Sequence, residues 1–456
     1  MYRGKIRQVH FVGIGGSGMS GIAEVLHNLG YRVTGSDLKP NKATKRLEEL
    51  GCKVFYGHDP RYVEGADVVV VSSAVPFTNA EVQEALKRGI PVIPRAEMLS
   101  ELMRMKYGIA VAGSHGKTTT TSMIAQVLAC GGFDPTAVIG GRVKGIGGGA
   151  RLGAGEFLVA EADESDGSFL SLIPTIVVIT NIDREHINFY GTFERLKEAF
   201  VQFANKVPFY GVSILCEDHP VVREIIPFIK KRKITYGLSN GAQVKGVVIE
   251  KKQWGVAFRV YVEGKELGEI RLKIPGEHNV QNALASVACG LELDIPFGTI
   301  QEALEDFKGV ERRLEVKGEA QGIMIVDDYA HHPEEIKASL KALSELGRRI
   351  IVVFQPHRYT RLKDLFTEFT QCFDGVALLI LTEVYPAGEE PIEGVSGLRL
   401  YETLKGKVGD RVLYVEERER IPHLILPILK EGDVVVTLGA GNISEVSEEL
   451  LRLLLR

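Results

Sequence analysis

Gly113-Ser114-His115-Gly116-Lys117-Thr118 packs two glycines, a lysine and two hydroxyls into one short stretch. It lies between the apolar run GIAVA and a helical segment. A loop in that position points backbone N–H groups and a helix N-terminus at an anion, while Lys117 can reach outer phosphates and Thr118 stands where a hydroxyl ligates Mg2+. Thr119 extends the hydroxyl run. The position five before Gly116 is Val111 rather than glycine, a departure from the commonest phosphate-loop pattern. His115, inside the loop, either contacts a transferring phosphoryl group or shapes the turn.

Two further pieces suit a metal-nucleotide. Glu161-Ala162-Asp163-Glu164-Ser165-Asp166 ends an apolar run, where α/β sheets place their ligands, although alone it reads better as a solvated acidic turn. Asn181-Ile182-Asp183-Arg184-Glu185-His186 ends another and offers His186 to a second cation; a lone histidine is more often structural. A separate turn, Gly13-x-Gly15-x-x-Gly18, encloses Gly16 and Ser17 and is followed about twenty residues later by Asp37, the dinucleotide fingerprint. A lone pattern of this kind is weak, and the same tight turn serves the diphosphate of a nucleotide-sugar.

These loops need strands and helices to hold them. Short apolar β-rich runs alternate with amphipathic helical stretches, which predicts parallel α/β units. Three runs end in glycine turns that open helices: VHFVGIGGSGMSG, GIAVAGSHGKTTTT and VVVTLGAGNIS. With 456 residues, the chain exceeds what one hydrophobic core organises. The expected α/β fold has three domains: residues 1–105 Rossmann-like, 106–312 a central phosphate-loop domain with a β-rich stretch near 232–275, and 313–456 a second Rossmann-like domain. A net charge of -4 offers no general field for a polyphosphate backbone, so no nucleic-acid partner is expected. Cys52, Cys130, Cys216, Cys289 and Cys372 show no CxxC pair or metal spacing and read as buried thiols in a reducing compartment. The N-terminal stretch lacks an apolar signal region, and no run approaches the roughly 18 apolar residues of a membrane span. A cytoplasmic monomer or homodimer without membrane attachment is expected.

GSHGKTTT, EADESD and TNIDREH, in this order, resemble the central ATPase domain of the Mur ligase family, and the resemblance runs along essentially the whole chain. It implies that His278 and Asn279, in GEHNVQN, lie beside adenine, that Arg313 contacts the nucleotide and that Asp328 lies near the ribose. DDYAHHP, QPHRYTR and EVYPAGE are similar to the alanine-adding branch. The first glycine turn would then hold a UDP-sugar through Gly13, Gly15, Gly16, Ser17, Gly18, Asp37 and Ser73.

The implied reaction joins L-alanine to the lactoyl carboxylate of UDP-N-acetylmuramate, with ATP as co-substrate and an acyl phosphate between. A carboxylate must be activated because its anion repels nucleophiles and oxide is a poor leaving group. Positioning and charge neutralisation dominate such transfers. Lys117 is expected on the β- and γ-phosphates, Thr118 and Glu161 on one Mg2+, and His186 on a second. Arg358 and Arg361 would clamp alanine's carboxylate, with Tyr329 and His357 framing the pocket. The rivals are a family ligase that recycles a whole peptide, an oxidoreductase built on the first turn, and a nucleotide sensor without turnover. The oxidoreductase leaves Lys117 unexplained.

Overall fold

The computed structural model describes residues 6–72, 74–140, 150–252 and 254–456. Ser73, expected at the UDP-sugar site, lies outside the described residues. The chain forms two compact units, one of Met1–Val247, Phe258–Ile270 and Val280–Lys308, the other of Val248–Ala257, Arg271–Asn279 and Gly309–Arg456.

In the first unit, Gln8–Val12 is an entirely buried strand, as expected where helices cover both faces of a parallel sheet. It forms the middle of a five-stranded sheet in the order Lys53–Tyr56, Arg32–Asp37, Gln8–Val12, Val68–Val71, Val92–Pro94, parallel throughout. The chain turns at Gly13, whose φ of +82° suits glycine, and enters the helix Ser17–Asn28. Backbone N–H groups of Gly13 and Ile14 both donate to the Ser36 carbonyl at 2.9 Å, tying the turn to the neighbouring strand.

The same unit carries most of a ten-stranded sheet. Tyr107–Ala112 lies between Ile176–Ile179 and Phe157–Glu161, all parallel. Three chemically distinct loops therefore leave one edge side by side: Gly113–Gly116 after Ala112, the acidic cluster from Glu161, and Thr180–His186 after Ile179. Val212–Cys216 and Lys233–Gly237 continue the sheet in parallel. Val244–Lys252, Gly255–Val262 and Lys265–Leu272 complete it, the β-rich stretch anticipated from the sequence. Phe169, Phe200 and Phe203 pack beneath, with Phe169 4.7 Å from Phe203 between ring centroids.

In the second unit Glu315–Ala320 pairs antiparallel with Ile323–Asp328, followed by Asp433–Leu438, Arg349–Phe354, Leu378–Leu381 and Val412–Tyr414 in parallel order. Helices cover both faces, one core cluster containing Phe354 and Phe369 and another containing Ile351 and Val435.

No helix among the described residues is long and apolar enough to cross a membrane. One expectation needs correction: Cys52, Cys216, Cys289 and Cys372 are buried, but Cys130 is exposed. It is the last residue of the helix Lys117–Cys130, beyond the turns that face the core. Burial pushes the Cys52 and Cys216 thiols up to about 11 and Cys289 to about 12. A disulfide-exchange reagent at pH 8 should label one thiol rapidly in the native protein and none in Cys130→Ser. A second fast thiol would contradict the burial of the other four.

Candidate functional site

The phosphate loop is shaped by close backbone approach. Gly113 has a φ of +137°, and a methyl group there would lie 2.1 Å from Thr180 Oγ1; Gly116 has a φ of +78° and faces Asn282. The loop is held chiefly by the segment that follows Ile179. His115 N donates to Asn181 Oδ1 at 2.7 Å, while Thr180 Oγ1 and Asn181 Nδ2 donate to the His115 carbonyl at 2.6 and 3.1 Å. Asp183 N donates to Ser114 Oγ at 2.8 Å, and Asp183 Oδ2 lies 3.1 Å from His115 Nε2. The other Asp183 oxygen faces His219 at 3.3 Å. Burial works against ionising Asp183, but the two imidazoles outweigh it and hold its carboxyl well below the ordinary range.

Lys117 leads the following helix and folds back into the loop. Its Nζ donates to both Glu164 oxygens at 2.8 Å and to the Gly113 carbonyl. Glu164 is only 2% exposed. Burial would lower the Lys117 pKa; the Glu164 carboxylate reverses this and keeps the ammonium charged. Thr118 and Thr119 are buried just behind, at the helix N-terminus.

Glu164, Glu185 and His186 present one ligand atom each within 4.8 Å of one another. His186 adopts a φ of +57°, a left-handed conformation that turns the chain into the short helix Ile187–Tyr190. Glu161 is oriented differently: its Oε1 accepts from Gly140 N at 2.7 Å. Carboxylates with one imidazole and a buried threonine hydroxyl are a donor set suited to Mg2+. Glu164 and Glu185 were not singled out from sequence, although both sit inside the motifs that were.

At the first turn, Asp37 is turned inward and its Oδ2 accepts from Gly15 N at 2.8 Å. A methyl group on Gly15 would meet Asn41 at 2.4 Å, and one on Gly18 would meet Arg95 at 2.6 Å. Gly16 is the N-cap of the helix that Ser17 opens. Arg95, which no motif flagged, places Nη2 3.0 Å from Asp163 Oδ2 and so connects the glycine turn to the acidic cluster. Burial disfavours the Asp163 anion, but Arg95 and Lys117 hold its pKa below the ordinary value.

The second unit carries the remaining candidates. His278 is half-buried, and loss of solvent together with Arg313 and Lys341 pushes it down to about 4. Asn279 Nδ2 donates to the Pro275 carbonyl at 2.7 Å. Arg313 lies 5.2 Å from the centroid of the Tyr329 ring. Asp328 accepts from Ala330 N at 2.9 Å and Ser339 Oγ at 2.7 Å, and burial raises its carboxyl to about 6. Tyr329, His331, His357 and Tyr385 form a contiguous row of rings with centroids 5.4, 5.7 and 5.6 Å apart, the first two contacts edge-on and the last stacked. Arg361 Nη1 donates to His357 Nδ1 at 3.2 Å, and burial with the neighbouring cations lowers His357 to about 3, so its ring is a neutral acceptor. Arg358 has a φ of +69° at the start of Tyr359–Asp364. His331 and Tyr385 extend the expected pocket frame; His332 caps the helix Pro333–Ser344 and is buried there.

A clamped phosphate loop with acidic and imidazole groups beside it, on parallel sheets rich in glycine turns, defines a nucleotide-binding α/β protein. Family models described as Mur ligase family, catalytic domain, Mur ligase middle domain, and Mur ligase, glutamate ligase domain match residues 8–107, 111–290 and 312–441. The chain belongs to the Mur ligase family. It is 57% identical over 449 residues to UDP-N-acetylmuramate–L-alanine ligase of Geotalea daltonii, covering 98% of each chain, and 56% identical over 453 residues to that of Geobacter sulfurreducens, again covering 98% of each. Among solved structures, UDP-N-acetylmuramate-alanine ligase from Thermotoga maritima aligns with a TM-score of 0.85 at 29% identity, covering 98% of both chains. A murein peptide ligase from Psychrobacter arcticus shares the fold, with a TM-score of 0.73 at 22% identity over 98% of both chains.

Gly113→Ala should force the loop away from Thr180, costing about 1–3 kcal/mol of stability and weakening ATP binding; calorimetric titration with ATP and thermal melts measure both. For Asp328 the folded pKa lies above the ordinary 3.8, so the native state holds the proton longer and stability falls as pH rises from about 4 to about 6. Asp328→Asn should remove this decline, seen as a flatter melting-temperature profile across that window.

Proposed function

We propose that this chain ligates L-alanine to the lactoyl carboxylate of UDP-N-acetylmuramate, with ATP converted to ADP and phosphate, in peptidoglycan precursor synthesis. The observation that carries the reaction type is the charged Lys117 seated in its clamped loop beside Glu164, Glu185 and His186. Full-length likeness to relatives named for the alanine reaction supports the choice of substrates.

The substrate carboxylate attacks the γ-phosphorus, forming an acyl phosphate and ADP; the alanine amine then adds to the acyl carbon and expels phosphate. Lys117 meets the β- and γ-phosphates, and the loop N–H groups hold their oxygens in line for transfer. Thr118 and Glu161 would hold one Mg2+ and His186, with Glu164 and Glu185 beside it, a second, which when bound would neutralise the charge that keeps phosphate and carboxylate apart. His115 lies against the transferring group, its ring oriented by Asp183. His278, Asn279, Arg313 and Asp328 bind the nucleoside of ATP. The neutral ring of His357 steadies Arg361, which with Arg358 takes the alanine carboxylate as a fork, and Tyr329 closes the pocket around the small side chain. The first glycine turn, from Gly13 to Gly18, takes the UDP diphosphate at its helix N-terminus.

Phosphate release should be measured with Mg-ATP and UDP-N-acetylmuramate, offering L-alanine, glycine, L-serine or an L-alanyl-γ-D-glutamyl peptide. Fast release with L-alanine, a product one alanyl residue heavier by mass spectrometry, and loss of at least about a thousandfold in Lys117→Ala are expected. Turnover with the peptide alone would assign the chain to peptide recycling, and no turnover with any acceptor would overturn the catalytic reading.

A further inference from the structure

The phosphate loop and its neighbours leave the carboxyl edge of the ten-stranded sheet, and the amino edge is made of different material. Four neighbouring strands, Tyr107–Ala112, Ile176–Ile179, Val212–Cys216 and Lys233–Gly237, run parallel, so the segments that enter them all lie on that opposite edge. Each of these segments exposes a large apolar side chain: Met105 and Tyr107, then Ile173, then Phe209 and Tyr210, then Phe228. Phe209 at 91% and Phe228 at 62% are the most open of the six. The segments are tied to one another. Val212 N donates to the Thr175 carbonyl at 3.3 Å. Asn205 Nδ2 donates to the Phe228 carbonyl at 3.2 Å, while its Oδ1 accepts from Lys230 N at 2.7 Å.

Local geometry explains how these rings stand in water, but not why they are aromatic. Gly211 N donates to the Pro208 carbonyl at 3.0 Å, closing a turn with Phe209 and Tyr210 at its tip. Ile229 N donates to the Ile226 carbonyl at 3.2 Å, closing a second turn with Pro227 and Phe228 at its tip. Turn tips favour Gly, Pro, Asn, Asp and Ser, so neither Phe nor Tyr is there for the backbone's sake. Apolar groups scattered singly need no explanation, whereas a gathering of them on one edge marks a contact surface. Cations flank both turns. Lys206 precedes the first, and Lys230 and Lys231 follow the second; Lys206 and Lys230 are exposed and Lys231 is half-buried. Arg232, next in the chain, is paired with Glu292. With a net charge of -4 over the whole chain, this local positive charge runs against the overall sign.

A second copy of the chain suits this face poorly, because a two-fold contact centred on it would bring Lys206, Lys230 and Lys231 toward their own images. An anionic bilayer matches both components. Aromatic rings settle at the boundary between headgroups and acyl chains, and lysines on long stems reach the lipid phosphates. We propose that this edge adsorbs to an anionic phospholipid surface, with Phe209, Tyr210 and Phe228 entering the interface and Lys206, Lys230 and Lys231 meeting the headgroups. The sequence argued against a span and a signal region; surface adsorption needs neither. Because the phosphate loop leaves the other end of the same strands, adsorption through the amino edge keeps that loop turned to water.

Sedimentation of the full chain with lipid vesicles tests this. Vesicles of equal parts phosphatidylglycerol and phosphatidylcholine should carry the protein down, pure phosphatidylcholine vesicles should not, and raising salt from about 0.05 M to about 0.5 M should release it. Phe209→Ser combined with Phe228→Ser should weaken partitioning by at least about tenfold. Lys206→Glu combined with Lys230→Glu should do the same, since each lysine near such a surface contributes about fivefold. All four positions are exposed, so both double variants should keep the melting temperature and the phosphate release of the unaltered protein in solution. Undiminished binding in either double variant, equal binding to neutral vesicles, or no binding to anionic ones would overturn the proposal. So would a dimer of the unaltered protein in analytical ultracentrifugation that the two serines convert to monomers, because the edge would then serve self-association.

Discussion

The ammonium of Lys117 lies between two carboxylate oxygens and a loop carbonyl, on a side chain 18% exposed, and the surrounding architecture follows from keeping that charge there. A buried cation without its anion is untenable, and removing either partner of such a pair typically costs about 3–5 kcal/mol. Glu164 must therefore be fixed, and Tyr190 contributes by donating its hydroxyl to the Glu164 carbonyl at 2.5 Å. The loop that delivers Lys117 must be fixed as well. Its backbone turns through conformations that favour glycine, with a φ of +137° at Gly113 and +78° at Gly116.

The neighbouring strand supplies the restraint. Thr180, Asn181 and Asp183 occupy the loop's carbonyl, N–H and hydroxyl groups one by one, so the loop owes its shape to the adjacent segment more than to its own helix. This is possible because Ile176–Ile179 and Tyr107–Ala112 run parallel in register and end together. The third strand of the set, Phe157–Glu161, delivers the carboxylates to the same edge. A parallel sheet thus converts three distant stretches of chain into one electrostatic centre in which cation, anions and imidazole balance.

The second unit applies a different device. Its candidate cations lean on rings: Arg361 on the neutral ring of His357, and Arg313 on the face of Tyr329 with the Glu335 carboxylate 3.5 Å from its guanidinium. Asp327, fully buried, anchors Arg312, whose guanidinium also lies 5.1 Å from the Tyr329 ring centroid.

Much of the fold and part of the site were legible in the sequence because they depend on local rules. Glycine turns between apolar runs and helical stretches announce themselves through backbone sterics, so the phosphate loop, the first turn, the parallel α/β class and the strand-end positions of Glu161 and His186 could be read without coordinates. What residues farther apart do to one another could not. Glu164, three positions from Glu161, is the carboxylate that holds Lys117, and only the path of the chain after the strand selects between them. Asp37 has the spacing of a ribose ligand, yet its carboxylate is taken by Gly15 N. Arg95 and His219 carry no motif at all, because their partners lie on other strands and helices. Cys130 looked like the other cysteines, and its place at the end of a helix alone exposes it. Local backbone preference is written residue by residue, while burial and the pairing of charges arise only once distant segments share an edge.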